Sequence, residues 1–132
     1  MTSFYPIIQL IGRVLMSLIF FYAAYSKVNH WDGTLAEIAG KGIPQGPILL
    51  FLICLVEFLG ALCLVIGYKT RLASYFLFGA MIVTIYLFND FWNLSGSQKD
   101  LQFALFLKNL AIMGGLCLVA VAGAGSLSID KK

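Results

Sequence analysis

Residues 48–66 read ILLFLICLVEFLGALCLVI, an apolar run interrupted by one charge, Glu57, at its middle. About 20 apolar residues in helical form cross the ~30 Å hydrocarbon core of a bilayer, so this stretch predicts a transmembrane helix. Gly67 follows it, the residue best suited to the left-handed turn that closes a helix, and Tyr68-Lys69-Thr70-Arg71 supplies a polar connection. Working outward, the segments at about 5–26, 72–89 and 101–122 repeat the pattern, with Arg13 the charge inside the first and Lys108 inside the last. The reading is an all-α membrane protein, a four-transmembrane-helix bundle filling a single domain over 1–132.

Composition agrees. The chain has 132 residues, 61% hydrophobic and 11% charged, with a mean hydropathy of +0.92. Soluble domains carry about 25% charged residues, so lipid must cover what water covers elsewhere, and a soluble enzyme is excluded. Lysines and arginines are scattered, with no run longer than Lys131-Lys132, which excludes nucleic acid as a partner. Cys54, Cys63 and Cys117 all fall in apolar runs without metal-ligand spacing and read as small core residues. His30 alone cannot assemble a zinc or haem site. No basic residue precedes the first apolar run and Arg13 interrupts it, which predicts a retained span rather than a cleaved signal.

The first connection, from Lys27 to Pro47, is too long for a turn. Thr34 and Glu37 have the spacing of a capping box, which predicts a short extra helix over about Leu35–Gly40, with Glu37 as a cap. Ser97 to Asp100 repeats the signal more weakly before the fourth span. Four spans place both termini on one side. Lys69, Arg71, Lys131 and Lys132 lie there against Lys27, Lys41 and Lys99 on the other, so the positive-inside rule favours cytoplasmic termini. Trp31 and Trp92 fall at the far boundary, as an aromatic belt requires.

Charged groups at membrane depth carry a penalty of ~2.5–3.5 kcal/mol each and therefore face the bundle interior and pair. At 1.5 Å per residue, Arg13 and Glu57 lie at similar depths from the terminal side, which predicts that they pair. Asp90 closes the third span and Lys108 lies about 10 Å down the fourth, which predicts a second pair. Two readings follow. The pairs are interhelical clamps, or they line a cavity that holds a quinone carbonyl or a lipid head beside Tyr22, Tyr25, Tyr86, Asn89 and Asn109, with proton relay or transport as a third role. Gly60, Ala61, Gly114 and Gly115 read as points of close helix approach.

The chain resembles the DoxX family of small four-helix bacterial inner-membrane proteins over about residues 11–130. The matching stretches are GRVLMSLIFFYAAYSKV, DGTLAEIAGKGIP, VEFLGALCLVIGYKTRLAS, NDFW and FLKNLAIMGGLCLVAVAGAGSLSID. Family-type residues fall on Arg13, Lys27, Gly33, Pro44, Glu57, Gly67, Thr70, Arg71, Asp90, Trp92, Lys108 and Asn109, while Asn89 stands where many relatives carry His. The resemblance implies an inner-membrane protein associated with redox assemblies and a bound quinone, served by a membrane or periplasmic redox partner protein. The alternative is a non-enzymatic lipid- or small-molecule-binding protein or accessory subunit, and homo-oligomers fit either. Chemistry by a cysteine pair is excluded for Cys54 and Cys63, roughly 13 Å apart along one helix and outside the ~4.4–6.8 Å that a disulfide spans.

Overall fold

The computed structural model describes residues 4–88, 92 and 94–130, and these form five helices: α1 Tyr5–Asn29, α2 Trp31–Gly40, α3 Gly46–Ile66, α4 Thr70–Phe88 and α5 Gly96–Ala122. Four of them, of 25, 21, 19 and 27 residues, are long and apolar enough to cross a membrane. The expected architecture is present, with differences at the helix ends. α1 continues past Ser26 to Asn29, so Lys27 belongs to the helix rather than to the connection. α2 starts at Trp31, and Thr34 lies inside it, its hydroxyl donating back to the His30 carbonyl at 2.8 Å. The predicted capping box is therefore absent, and Glu37 is released from that role. α5 begins at Gly96 with no side-chain cap bond at Ser95, which places Asp100 inside the helix as well.

Local chemistry accounts for the other ends. Pro6 and Pro47 sit in the first turns of α1 and α3, where a missing N–H leaves no helical bond unmade. Gly67, at φ +74°, closes α3 and donates its N–H to the Cys63 carbonyl at 2.8 Å. A side chain there would also collide with Ser128 and the Arg13 guanidinium.

The buried positions of α1, Arg13, Ser17, Phe20 and Ala24, alternate at intervals of four and three, as do Leu50, Ile53, Glu57, Gly60 and Leu64 of α3. This repeat produces the shallow-angle seam of antiparallel bundles. The main core unites Phe20, Ala61, Leu64, Leu77, Met81 and Leu116, and a second cluster of Ile38, Leu50, Ile53, Cys54 and Leu87 forms where α2 covers one end. Gly60 lets α3 and α4 approach, since a Cβ there would lie 2.7 Å from Leu77. α1 packs on α3, α3 on α4 and α4 on α5, but α1 and α5 hardly meet, leaving the ring open on one side.

The segment after α5 folds back across the terminal end. Ile129 and Asp130 donate their N–H groups to the Ile66 and Gly67 carbonyls at 3.1 and 2.9 Å. The Asp130 carboxylate accepts from the N–H groups of Lys69 at 2.9 Å and Thr70 at 3.0 Å, satisfying amides that the start of α4 leaves open. Cys54 is buried and Cys63 half-buried, but Cys117 is exposed, which corrects its reading as a core residue.

Candidate functional site

Arg13 and Glu57 are each 2% exposed, yet they do not pair. Arg13 Nη1 donates to the carbonyls of Leu64 and Val65 at 2.8 and 3.1 Å, and Nη2 donates to that of Leu127 at 2.6 Å. Glu57 instead accepts from Lys27 Nζ at both oxygens, at 3.0 and 3.2 Å. Side-chain direction explains the exchange. Each Cα–Cβ bond leans toward its own helix N-terminus, and α1 and α3 run antiparallel. At equal depth Arg13 leans toward the terminal end while Glu57 leans toward the other. Lys27, two heptads beyond Arg13 or about 21 Å along α1, leans back into the bundle to meet Glu57.

Arg13 is thus a clasp that ties the last carbonyls of α3 to the C-terminal segment. Lys27 and Glu57 lie elsewhere, in the opening between α1 and α5. Both line a groove of about 440 Å³, within the range of small-molecule sites. Its walls include Tyr22, Ser26, Phe88, Gln102 and Asn109 with the exposed Ile19, its apolar floor Phe20, Met81, Leu105 and Ile112, and its mouth Thr34 and Glu37 on α2. Lys27 Nζ stands 5.9 Å from the centre of the Phe88 ring. Thr84 also lines the groove, and its hydroxyl is buried with no hydrogen-bond partner among the described residues. A buried hydroxyl without a partner carries a desolvation penalty that a bound polar group would relieve.

A second, apolar cleft of about 540 Å³ lies outside α1 and α3, with Tyr25, Trp31, Phe51 and Phe58 among its walls. It offers almost no polar atoms, so it suits lipid chains rather than a directed head group.

Among the residues singled out from sequence, Glu57, Asn109 and Tyr22 come together in the groove. Arg13 lies apart. Tyr86 is 57% exposed and lines no part of the groove. Lys108 is exposed on the flank of α5, which corrects the expectation that it faces the interior. Asn89 and Asp90, and with them the expected Asp90–Lys108 pair, lie outside the described residues. Sequence reasoning had Lys27 only as a family-type residue and Glu37 only as a cap, and it missed Ser26, Thr84 and Gln102. The stripe 13–17–20–24–27 would have found Lys27, and the spacing of Gln102, Leu105, Asn109 and Ile112 marks the groove face of α5.

The DoxX family profile matches residues 8–90. The chain belongs to the DoxX family. The region matched holds Lys27, Glu37, Glu57 and Thr84, whereas the α5 wall of the groove lies beyond it. Among relatives of this DoxX-family chain, inner membrane protein YqjF of Escherichia coli K12 is 34% identical over 122 residues, covering 92% of this chain and 88% of the relative. Inner membrane protein YphA of the same organism is 30% identical over 128 residues, 96% and 91% of the two chains. The ER-derived vesicles protein ERV29 of Saccharomyces cerevisiae is 34% identical over 123 residues, 92% of this chain but 32% of the longer relative. No solved structure matches.

Proposed function

We propose that this DoxX-family protein is a membrane-embedded binding protein that takes the polar head of an amphiphile into the α1/α5 groove. One observation carries the reading: the Lys27–Glu57 ion pair lines a groove that the helix ring leaves open toward lipid. An ion pair serving only as a clamp needs no cavity beside it, and burying one is weak evidence for stability, since apolar residues of the same volume do as well. The open side lets an apolar tail stay in the bilayer while the head reaches the buried polar groups. The sequence relatives named inner membrane proteins support a place in the bacterial inner membrane, and the basic residues support cytoplasmic termini.

The redox reading is the second, and it rests on Lys27. Two of that ammonium's three N–H bonds serve Glu57, leaving one for an acceptor such as a quinone carbonyl, and the Thr84 hydroxyl can donate beside it. A bound quinone would supply two-electron, two-proton chemistry, with a partner protein as the other redox member.

The test is purification in lipid discs, extraction, and mass spectrometry of small molecules retained by the wild type, Lys27→Met and Glu57→Gln. A defined amphiphile enriched in the wild type and present in changed amount in both variants is the expected result, and a quinone in that fraction selects the redox reading. Identical bulk phospholipid in all three would overturn the binding reading.

A further inference from the structure

Among the described residues the lining of the groove is not electrically neutral. It holds one cation, Lys27, and two carboxylates, Glu57 and Glu37. Lys27 is committed to both oxygens of Glu57, which leaves the charge of Glu37 unmatched inside the site. Glu37 is exposed at the mouth on α2, and no hydrogen bond or ion pair engages it among the described residues. It is not held there by a capping duty, because α2 starts at Trp31.

Aromatic rings stand on the same walls. Tyr22 lies largely exposed along the open side, and Phe88 already presents its ring to an ammonium, that of Lys27, at 5.9 Å. Carboxylates combined with aromatic faces are the chemistry that recognises an ammonium head, because the ring quadrupole and the carboxylate both attract a cation and the ring does not demand a hydrogen bond. The floor of Phe20, Met81, Leu105 and Ile112 accepts only an apolar body.

We propose that the ligand of this groove is a cationic amphiphile, an ammonium head on an apolar tail that enters sideways from the bilayer, with Glu37 and the Tyr22 and Phe88 rings selecting the head. The proposal rests on the binding reading above and narrows it to one ligand class, at the expense of the uncharged quinone.

The test measures equilibrium binding of dodecyltrimethylammonium, dodecanoate and an uncharged dodecyl amide to the protein in zwitterionic lipid discs, with empty discs subtracted. The ammonium probe is expected to bind saturably and about tenfold tighter than either other probe, the ratio that corresponds to about 1.4 kcal/mol. Glu37→Gln should remove that preference, whereas Asp32→Asn, the same charge change on the same helix but outside the groove lining, should keep it. An amide that binds as tightly as the ammonium, or a preference that survives Glu37→Gln, overturns the proposal. Leu105→Trp fills the floor and should abolish saturable binding of every probe. If the amide binds equally and Leu105→Trp blocks both, the ligand class is wrong and the groove reading stands. If Leu105→Trp blocks nothing, the groove reading fails too.

Discussion

Lys27 donates to both carboxylate oxygens of Glu57 across the seam between α1 and α3, at 3.0 and 3.2 Å, although 30 residues separate them in the chain. The two side chains lean toward each other because their helices are antiparallel, and the same geometry turns Arg13 away. This relationship decides which charges belong to the groove and which to the scaffold.

The pairing predicts strong coupling. Lys27→Met strands a buried carboxylate, and removing one partner of a buried pair typically destabilises by about 3–5 kcal/mol. The double variant Lys27→Met/Glu57→Met should recover most of that loss. A double-mutant cycle on thermal unfolding in mild detergent measures it, and Arg13 with Glu57 should instead be close to additive. Strong coupling between Arg13 and Glu57 would contradict the arrangement.

Arg13 and Lys27 should separate by phenotype. Arg13→Met leaves the carbonyls of Leu64, Val65 and Leu127 without their donor, and each charged hydrogen bond is worth about 1.5–3 kcal/mol. The variant should melt early yet retain groove ligand at temperatures where it is folded. Lys27→Met, which leaves the Glu57 carboxylate unpaired inside the groove, should change the ligand content even when folded, as read by mass spectrometry of disc extracts.

The C-terminal segment should be measurable as a cap. Asp130→Ala removes the acceptor for the Lys69 and Thr70 amides and should lower stability by about 1 kcal/mol, the usual worth of a helix cap. Ligand content should be unchanged. Hydrogen exchange confined to the first turn of α4 is the corresponding local signature.

Two glycines expected alike from sequence should behave differently. A methyl group at Gly60 meets Leu77, and overpacking of this kind costs about 1–3 kcal/mol. Leu77→Ala in the same chain should relieve part of it. A methyl group at Gly114 would meet nothing within 4 Å among the described residues, so Gly114→Ala should be neutral or stabilising, by up to ~1 kcal/mol of helix propensity. Thermal melts of the three variants decide this.

Cytoplasmic termini predict a fluorescent C-terminal green fluorescent protein fusion and an inactive C-terminal alkaline phosphatase fusion in bacterial cells. The reverse pattern would invert the orientation.

By itself the sequence determined the four spans, because apolar runs of membrane length admit no other fold in lipid. It also determined the end of α3 at Gly67, where only a residue without a Cβ accepts both the left-handed turn and the approach of Ser128 and Arg13, and it marked Glu57 and Asn109 as groups needing company. Depth along a helix can be counted from residue numbers, but direction around and along it depends on the neighbour. Arg13 and Glu57 share a depth and still point apart, while Lys27, counted with a loop, turns inward because α1 runs one turn further than its apolar run. The spacing of Thr34 and Glu37 fits a cap, yet α2 starts earlier and sends that carboxylate to the groove mouth. The opening itself, where α1 and α5 fail to close the ring, is marked in α5 only by Gln102 and Asn109 among its apolar residues, since a helix face toward a cavity and a helix face toward lipid otherwise carry the same apolar residues. Only tertiary packing decided which of the polar groups share a site.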